Sequence, residues 1–276
     1  MTRLFGVIGH PIDHSLSPAM HTAAFRALRV DAVYSAFEAP SSLLRPMLRA
    51  FVLAGVEGLN VTVPLKEAVI PLLDRLDPSA RALGAVNTVV IRNRRTIGYN
   101  TDGAGFLRAL RELGWTPRPM RTLLLGAGGA AKAVAWELAR SPGSELIVAN
   151  RHPARAGALV RWLRRARVPA RVRAVPLRAA RAADADLVVN ATTVGMHRAD
   201  RPPLDLSSLR RGTLVYDLVY QHETALVRGA RRRGCVAAGG LSMLLYQGAE
   251  SLRLWLHRAP PLDAMRRALE QAVRER

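Results

Sequence analysis

The chain has 276 residues, of which 49% are hydrophobic, and its 41 Lys and Arg against 21 Asp and Glu give a formal net charge of +20. This length allows two domains, each with its own core. No apolar run approaches the roughly 18 residues of a membrane span, and a single cysteine, Cys235, excludes an internal disulfide and a cysteine metal cluster. The chain opens on a strand-like segment without a signal-peptide pattern, so we expect a cytoplasmic protein with no membrane or metal site.

The positive charge is carried almost entirely by arginine, since Lys66 and Lys132 are the only lysines. So basic a chain suggests a nucleic-acid partner. The arginines, however, are spread along predicted helices, and no aromatic interleaving, zinc-finger spacing or RNA-binding motif accompanies them. We interpret the charge as a compositional bias towards arginine and expect no specific nucleic-acid partner.

Residues 4–100 alternate strand and helix signals, as expected for a parallel sheet with crossover helices. The loop after the first strand contains Ser15 and Ser17. Ser17 followed by Pro18 suits a helix N-cap with proline at the first helical position, but capping does not explain Ser15. Two hydroxyls at a strand end can also bind a polyol or a carboxylate, and the spacing leaves both interpretations open.

A second polar strand end contains Asn60 and Thr62 on one side, followed by a helix that begins at Pro64. Lys66 falls in the first turn of this helix, where the helix dipole disfavours a cation. Lysine can change its protonation state where arginine cannot, so this placement suggests a chemical role. A solvated lysine at a helix end is the alternative.

The next hairpin turns at residues 93–95 and ends in Thr101-Asp102-Gly103. Asp102 precedes a predicted helix, Phe106 to Leu113, and can serve as its N-cap. Capping and a role in a binding site both remain open at this point. We place a domain boundary between residues 100 and 101.

The stretch from Arg121 to Val134 reads as a buried strand, a glycine turn and a helix, the context of a dinucleotide-binding turn. Gly126 allows a backbone shape that other residues disfavour, Gly128 lets the main chain approach a pyrophosphate, and Ala131 takes the third position of the pattern. The helix N-terminus offers free N–H groups to phosphates. A purely structural glycine turn is the alternative.

The second strand of this half, residues 145–149, is followed by Asn150, Arg151 and Arg155. An NAD-preferring site usually has an acidic residue there to bind the ribose 2′-hydroxyl. Two guanidinium groups can instead pair with a 2′-phosphate. The pattern therefore favours NADP over NAD, unless these are ordinary surface arginines.

The remaining pattern predicts strands at 186–190 and 213–217, a polar loop at Thr192 where a nicotinamide ribose would lie, a helix at 224–233 and a short strand at 236–239. Two terminal helices are expected to return to the first domain. The predicted fold is α/β with two domains: residues 1–100 plus 241–276, with a mainly parallel sheet, and a Rossmann-type domain at 101–240.

In this order the motifs resemble the shikimate dehydrogenase family over nearly the whole chain. The matching segments are His14–Pro18, Asn60–Lys66, Gly84–Thr88, Asn100–Gly103, Gly126–Ala131, Asn150–Arg151, Asn190–Thr192 and Gly240–Gly248. Thr22 stands where the family commonly has Asn, and His152-Pro153 replace the Ser or Thr usual after Asn150-Arg151. The second departure removes one hydroxyl that would bind the phosphate of NADP.

The resemblance implies reversible reduction of 3-dehydroshikimate to shikimate by NADPH, a step in the biosynthesis of chorismate and the aromatic amino acids. It makes Lys66 the acid–base group and Asp102 its partner, because two such groups at one oxygen can supply and relay a proton. The substrate-binding residues that it implies are Ser15, Ser17, Asn60, Thr62, Lys66, Asn87, Asp102, Tyr220 and Gln247. The cofactor-binding residues are Gly126, Ala127, Gly128, Gly129, Ala130, Asn150, Arg151, Arg155, Thr192, Leu218, Gly240 and Met243.

Two other functions share these motifs: a relative that oxidises quinate or uses NAD, and a non-catalytic binding protein on the same fold. Retention of both Lys66 and Asp102 argues against the non-catalytic protein. The sequence leaves monomer and homodimer open.

Overall fold

The computed structural model describes residues 1–275, which form two compact units. The first comprises Met1–Gly105 and the chain from Leu245 onwards, and the second is Phe106–Leu244. Among the described residues, no helix is both long and apolar enough to cross a membrane.

The first unit is built on a six-stranded sheet. Its strands are β1 (Arg3–Gly9), β2 (Ala32–Glu38), β3 (Val56–Val61), β4 (Arg75–Leu76), β5 (Thr88–Arg92) and β6 (Arg95–Tyr99). The helices are α1 (Ser17–Ala27), α2 (Leu44–Leu53), α3 (Leu65–Ala68) and α4 (Pro78–Leu83), with the start of α5 (Asp102–Glu112).

The strand order in this sheet is β2-β1-β3-β5-β6-β4. Strands β1, β2 and β3 run parallel, but β5 is antiparallel to both β3 and β6. The reversal follows from the predicted turn, where Asn93 and Arg94 both have positive φ values, as a two-residue hairpin turn requires. A buried cluster that includes Ile8, Leu59 and Val89 packs on one face of the sheet.

The second unit contains a six-stranded sheet in which every pairing is parallel. Its strands are β7 (Arg121–Leu125), β8 (Glu145–Asn150), β9 (Arg171–Pro176), β10 (Leu187–Asn190), β11 (Leu214–Asp217) and β12 (Val236–Ala238). Its helices are α6 (Gly129–Ala139), α7 (Pro153–Arg165) and α8 (Ala225–Arg232); α9 (Leu241–Leu256) follows, and α10 (Leu262–Arg274) lies in the first unit. The division between the units falls inside α5 and α9.

The strand order of the second sheet is β12-β11-β10-β7-β8-β9. Read from β9, this is the 3-2-1-4-5-6 order of the Rossmann fold, and the order reverses between β7 and β10. Ligands of such sheets bind beyond the carboxyl ends of the strands at that reversal. The glycine turn after β7 and the polar loop after β10 both lie there.

Two local predictions are wrong. Ser17 does not cap α1, because Leu16 is the N-cap residue and makes no side-chain cap hydrogen bond, and Pro18 is the second helical residue. Helix α5 begins at Asp102 and not at Phe106. Asp102 does not act as an N-cap, since its carboxylate is engaged elsewhere.

Candidate active site

Lys66 and Asp102 meet in the first unit although 36 residues separate them along the chain. Strand β3 leads into the single turn of α3, which contains Lys66, and β6 leads into α5, which begins at Asp102. The Lys66 Nζ lies 2.6 Å from the Asp102 Oδ2, and the two side chains are only 20% and 10% exposed. A charge-assisted hydrogen bond therefore joins an amine and a carboxylate that are largely withdrawn from water.

The other oxygen of Asp102 is held by Asn87. The Asn87 Nδ2 donates to the Asp102 Oδ1 over 2.7 Å and to the Thr101 hydroxyl over 2.9 Å. The orientation of this amide is defined, because its Oδ1 accepts a hydrogen bond of 2.8 Å from the Thr101 backbone N–H. Both oxygens of the Asp102 carboxylate thus accept a hydrogen bond, each from a different donor.

Asn60 lies deeper in the same unit and directs its amide into the protein. Its Oδ1 accepts from the Tyr34 hydroxyl over 2.7 Å, and its Nδ2 lies near Ser251 Oγ, at 3.0 Å, and Thr88 Oγ1, at 3.3 Å. Burial raises the pKa of the Tyr34 hydroxyl well above its usual value, with partial opposition from Ser17. Tyr34 is therefore a neutral donor to Asn60.

A buried histidine packs against this network. His21 is fully buried and its ring stacks on Tyr34 with centroids 4.5 Å apart. Burial lowers the pKa of His21 to about 3, and the nearby Asn60 offsets only part of that effect. Neither ring nitrogen has a well-formed hydrogen bond within residues 1–275, so the imidazole is neutral at physiological pH.

The other predicted substrate residues have varied surroundings. The Ser15 hydroxyl accepts from the Ser17 backbone N–H over 3.3 Å, so the two serines share one turn. The half-buried Thr62 hydroxyl has no hydrogen bond to a described residue. Gln247, on α9, offers its Oε1 to Asn87 at 3.4 Å. Tyr220 belongs to the second unit.

In the second unit, the three glycines of the turn after β7 have two different roles: Gly126 is required by the fold, whereas Gly128 and Gly129 face open space. Gly126 has a φ of +109°, and a Cβ there would lie 2.7 Å from the Ala191 carbonyl oxygen, so the chain itself requires glycine. A Cβ on Gly128 or Gly129 would meet nothing within 4 Å. The backbone at Gly128, Gly129 and Ala130, at the N-terminus of α6, is therefore open to a pyrophosphate group, as in dinucleotide sites.

The end of β8 is positively charged and open. Arg151 and Arg155 are exposed and form no ion pair with a described residue, and they flank His152, the N-cap residue of α7. Asn150 is the last residue of β8. Two guanidiniums without a carboxylate partner fit a 2′-phosphate.

The loop after β10 is fixed by a buried carboxylate that the sequence did not single out. Asp217, at the end of β11, accepts from Asn190 Nδ2 over 2.8 Å and from the Thr224 hydroxyl over 2.7 Å. Burial raises the pKa of this carboxyl, against the effect of these hydrogen bonds. Asn190 in turn accepts from the Thr192 hydroxyl over 2.7 Å, so Thr192 turns towards the protein.

The start of α9 is held by Tyr216. The Met243 N–H donates to the Tyr216 hydroxyl over 3.1 Å, and Ser242 Oγ lies 2.9 Å from the same oxygen. Burial raises the pKa of Tyr216 to about 12. A Cβ on Gly240 would lie 2.2 Å from the Leu218 carbonyl oxygen, so glycine is needed for this close approach. Gly240, Met243 and Leu218 therefore have defined positions beyond the ends of β11 and β12.

No group of three or more His, Cys, Asp or Glu side chains within residues 1–275 is arranged to hold a metal ion. A Rossmann sheet with an open glycine turn, together with a sequestered lysine–carboxylate pair, defines the class of nicotinamide-dinucleotide-dependent dehydrogenases.

Comparison with known proteins narrows this class. Residues 7–89 match the family model described as the shikimate dehydrogenase substrate binding domain, residues 111–206 match shikimate/quinate 5-dehydrogenase, and residues 240–270 match the shikimate 5′-dehydrogenase C-terminal domain. A relative from Moorella thermoacetica named shikimate dehydrogenase (NADP(+)) is 48% identical, over 99% of this chain and 94% of that protein.

Solved structures agree with the sequence matches. Shikimate 5-dehydrogenase from Thermus thermophilus, in complex with NADP(H) and shikimate, is 40% identical with a TM-score of 0.89, covering 98% of this chain and all of that one. Quinate dehydrogenase from Corynebacterium glutamicum, in complex with NAD, is 36% identical with a TM-score of 0.91, covering 98% of this chain and 99% of that one. The chain belongs to the shikimate dehydrogenase family.

Proposed function

We propose that the chain is an NADP-dependent dehydrogenase that interconverts 3-dehydroshikimate and shikimate, in the biosynthesis of chorismate and the aromatic amino acids. The name and 48% identity of the Moorella relative support this substrate and cofactor. The observation that carries the proposal is the 2.6 Å contact between Lys66 and Asp102 in a mostly buried setting.

Lys66 is the acid–base group of the proposed reaction. During reduction the carbonyl oxygen must gain a proton, and the Lys66 ammonium donates it; during oxidation the neutral amine accepts it back from the hydroxyl. Asp102 orients the amine through its Oδ2, while Asn87 holds the Oδ1 so that the carboxylate cannot rotate freely. The pair therefore presents one proton donor at a fixed position.

The remaining substrate contacts are those that the resemblance to the family implies. Ser15 and Ser17 bind the carboxylate of the substrate, since a shared turn keeps their hydroxyls and N–H groups close together. Thr62 has a hydroxyl with no hydrogen bond to a described residue, and Gln247 lies beside Asn87, which suits both to ring hydroxyls. Tyr220 is assigned to the ring face, and Asn60 contributes by positioning its neighbours.

When bound, NADPH supplies the hydride. The glycine turn from Gly126 to Ala130, which is open at Gly128 and Gly129, is assigned to the pyrophosphate. Arg151 and Arg155, with Asn150, are assigned to the adenosine ribose and its 2′-phosphate. Thr192, Leu218, Gly240 and Met243 are assigned to the nicotinamide half of the cofactor.

The domain roles follow from these assignments. Residues 1–100 plus 241–276 form the substrate domain and residues 101–240 the NADP domain. The cytoplasm is the proposed compartment, which agrees with a single free cysteine, Cys235. Homodimer formation stays a hypothesis, which sedimentation velocity tests.

The experiment is a matrix of kcat/KM values for shikimate and quinate, each with NADP+ and NAD+. The proposal predicts the highest value for shikimate with NADP+. The C. glutamicum similarity and the imidazole at His152 favour, as a second candidate, a quinate-oxidising or NAD-using enzyme. A higher value for quinate or for NAD+ identifies that candidate, and no turnover in any combination identifies a binding protein.

A further inference from the structure

A pair of buried hydroxyls, Thr88 on β5 and Ser251 on α9, lies behind the Lys66–Asp102 pair. We propose that the Thr88 hydroxyl, supported by Ser251, is a positioning group for the reaction: it fixes the amide of Asn87 and thereby the carboxylate of Asp102. This inference rests on the proposed dehydrogenase function.

Thr88 lies at the centre of the network. Its side chain is 0% exposed, and its Oγ1 donates to Asn87 Oδ1 over 2.9 Å. The same oxygen lies 2.7 Å from Ser251 Oγ and 3.3 Å from the Asn60 Nδ2, which donates to it. One hydroxyl therefore connects both asparagines of the site.

The distribution of hydrogens explains why this hydroxyl matters. Asn87 Oδ1 accepts from the Thr101 N–H over 2.8 Å and from Thr88 over 2.9 Å, the two closest donors on the carbonyl side of the amide, while the Thr101 hydroxyl lies 3.2 Å away. A flipped amide would turn its own NH2 towards these donors. The two donors together keep Nδ2 towards Asp102. Without the Thr88 hydroxyl, one of them is lost and the amide gains freedom to rotate.

Ser251 connects this network to a distant part of the chain. It is 0% exposed, lies 163 residues from Thr88, and accepts from Asn60 Nδ2 over 3.0 Å. Because the Thr88 hydrogen is directed to Asn87, the Ser251 hydroxyl donates its one hydrogen to Thr88 over 2.7 Å, in competition with the backbone carbonyl oxygen of Gln247, which lies 3.0 Å away, one turn earlier in α9. Ser251 thus supports the Thr88 hydroxyl and links α9 to β5. The link lies one helical turn from Gln247, the α9 residue whose side chain approaches Asn87.

Loss of the Thr88 hydroxyl should change kcat more than it changes the KM for the substrate. The contact from Asn87 to Asp102 is 2.7 Å and that from Asp102 to Lys66 is 2.6 Å, so a rotated amide releases the carboxylate that orients the amine. A displacement of about 1 Å from such a geometry can lower the rate by about 100-fold. Cofactor binding in the second unit should be unaffected.

The test uses Thr88→Val, which keeps the shape and removes the hydroxyl, and Thr88→Ser, which keeps the hydroxyl. The control is Thr96→Val, the same chemical change at a 4% exposed threonine of β6 whose hydroxyl donates to Asp74 Oδ2 over 2.8 Å. For each variant, kcat, both KM values and the thermal unfolding midpoint are measured with shikimate and NADP+, below that midpoint.

We expect kcat of Thr88→Val to fall about 10- to 100-fold, with a smaller change in KM for shikimate and none in KM for NADP+. Thr88→Ser should recover most of the wild-type kcat. Thr96→Val should lower the unfolding midpoint without changing kcat. A Thr88→Val enzyme that is only less stable, with kcat near wild type, overturns the inference.

If Thr88→Val does not fold, Ser251→Ala is measured in its place. A clear fall in the kcat of Ser251→Ala supports the inference, and an unchanged kcat refutes it. A wild-type enzyme that does not oxidise shikimate with NADP+ removes the proposed function and this inference together. An active wild type with an unaffected Thr88→Val removes the inference alone.

Discussion

His21 makes the stability of the first unit depend on pH, and the size of the effect follows from its burial. In the unfolded chain the imidazole takes up a proton near pH 6.5, whereas in the folded protein burial lowers the pKa of His21 to about 3. The unfolded chain therefore binds more protons below pH 6.5. The contribution to stability is complete above pH 6.5 and is lost as the pH falls towards 3.

The largest contribution that His21 can make to the free energy of unfolding is set by its pKa values in the unfolded and folded states. The interval from 6.5 to about 3, at about 1.36 kcal/mol for each pH unit, corresponds to roughly 5 kcal/mol in total. Between pH 8 and pH 5 the same relation gives a loss of about 2 kcal/mol. His21→Phe removes the titrating group and keeps an aromatic ring against Tyr34 and Trp255.

The assay is urea unfolding at pH 8 and at pH 5, followed by circular dichroism. The wild-type free energy of unfolding should fall by about 2 kcal/mol more than that of His21→Phe. His152→Gln is the control, since it removes an exposed imidazole and should follow the wild type. Equal losses for wild type and His21→Phe would show that the imidazole is solvated or paired, contrary to the buried environment described above.

Further variants test the remaining roles. Lys66→Met should lower kcat by about 10²- to 10⁴-fold with KM values nearly retained. The control is Lys132→Met, which should keep kcat, since the Lys132 amine lies over the Trp162 ring. Similar rates for the two variants would show that Lys66 takes no part in the chemistry. Arg151→Ala should raise KM for NADP+ far more than for NAD+, and equal increases would disprove pairing with the 2′-phosphate. Gly126→Ala should destabilise the fold by about 1–3 kcal/mol because its φ is +109°. Gly128→Ala should fold normally but bind NADP+ more weakly, as fluorescence titration would show.

Much of this arrangement is visible in the sequence because it depends on local pattern. The run of β-branched and apolar residues into Gly126 predicts strand, turn and helix. Strand β9 is not predicted because the arginine-rich stretch around it favours helix, although Arg171, Val172 and Arg173 alternate with the two-residue period of a strand. In the folded chain the two arginines are exposed and Val172 is buried.

The alternative that fails is helix capping, which depends only on neighbours in sequence. Capping was the simplest local interpretation of Ser17 and Asp102, but Asp102 is drawn to Lys66 and Asn87. The contact between Thr88 and Ser251 has no sequence signal, because 163 residues separate them. Only the folded chain shows that their hydroxyls meet.

The most direct measurement of the central claim is a double-mutant cycle on kcat/KM for shikimate, with Lys66→Met, Asp102→Asn and the double variant. Residues that act as one unit on the same oxygen are non-additive, so the double variant should be no slower than the slower single variant, within about threefold. Losses that multiply would mean that the amine and the carboxylate act independently, which contradicts a shared proton-transfer role for the pair.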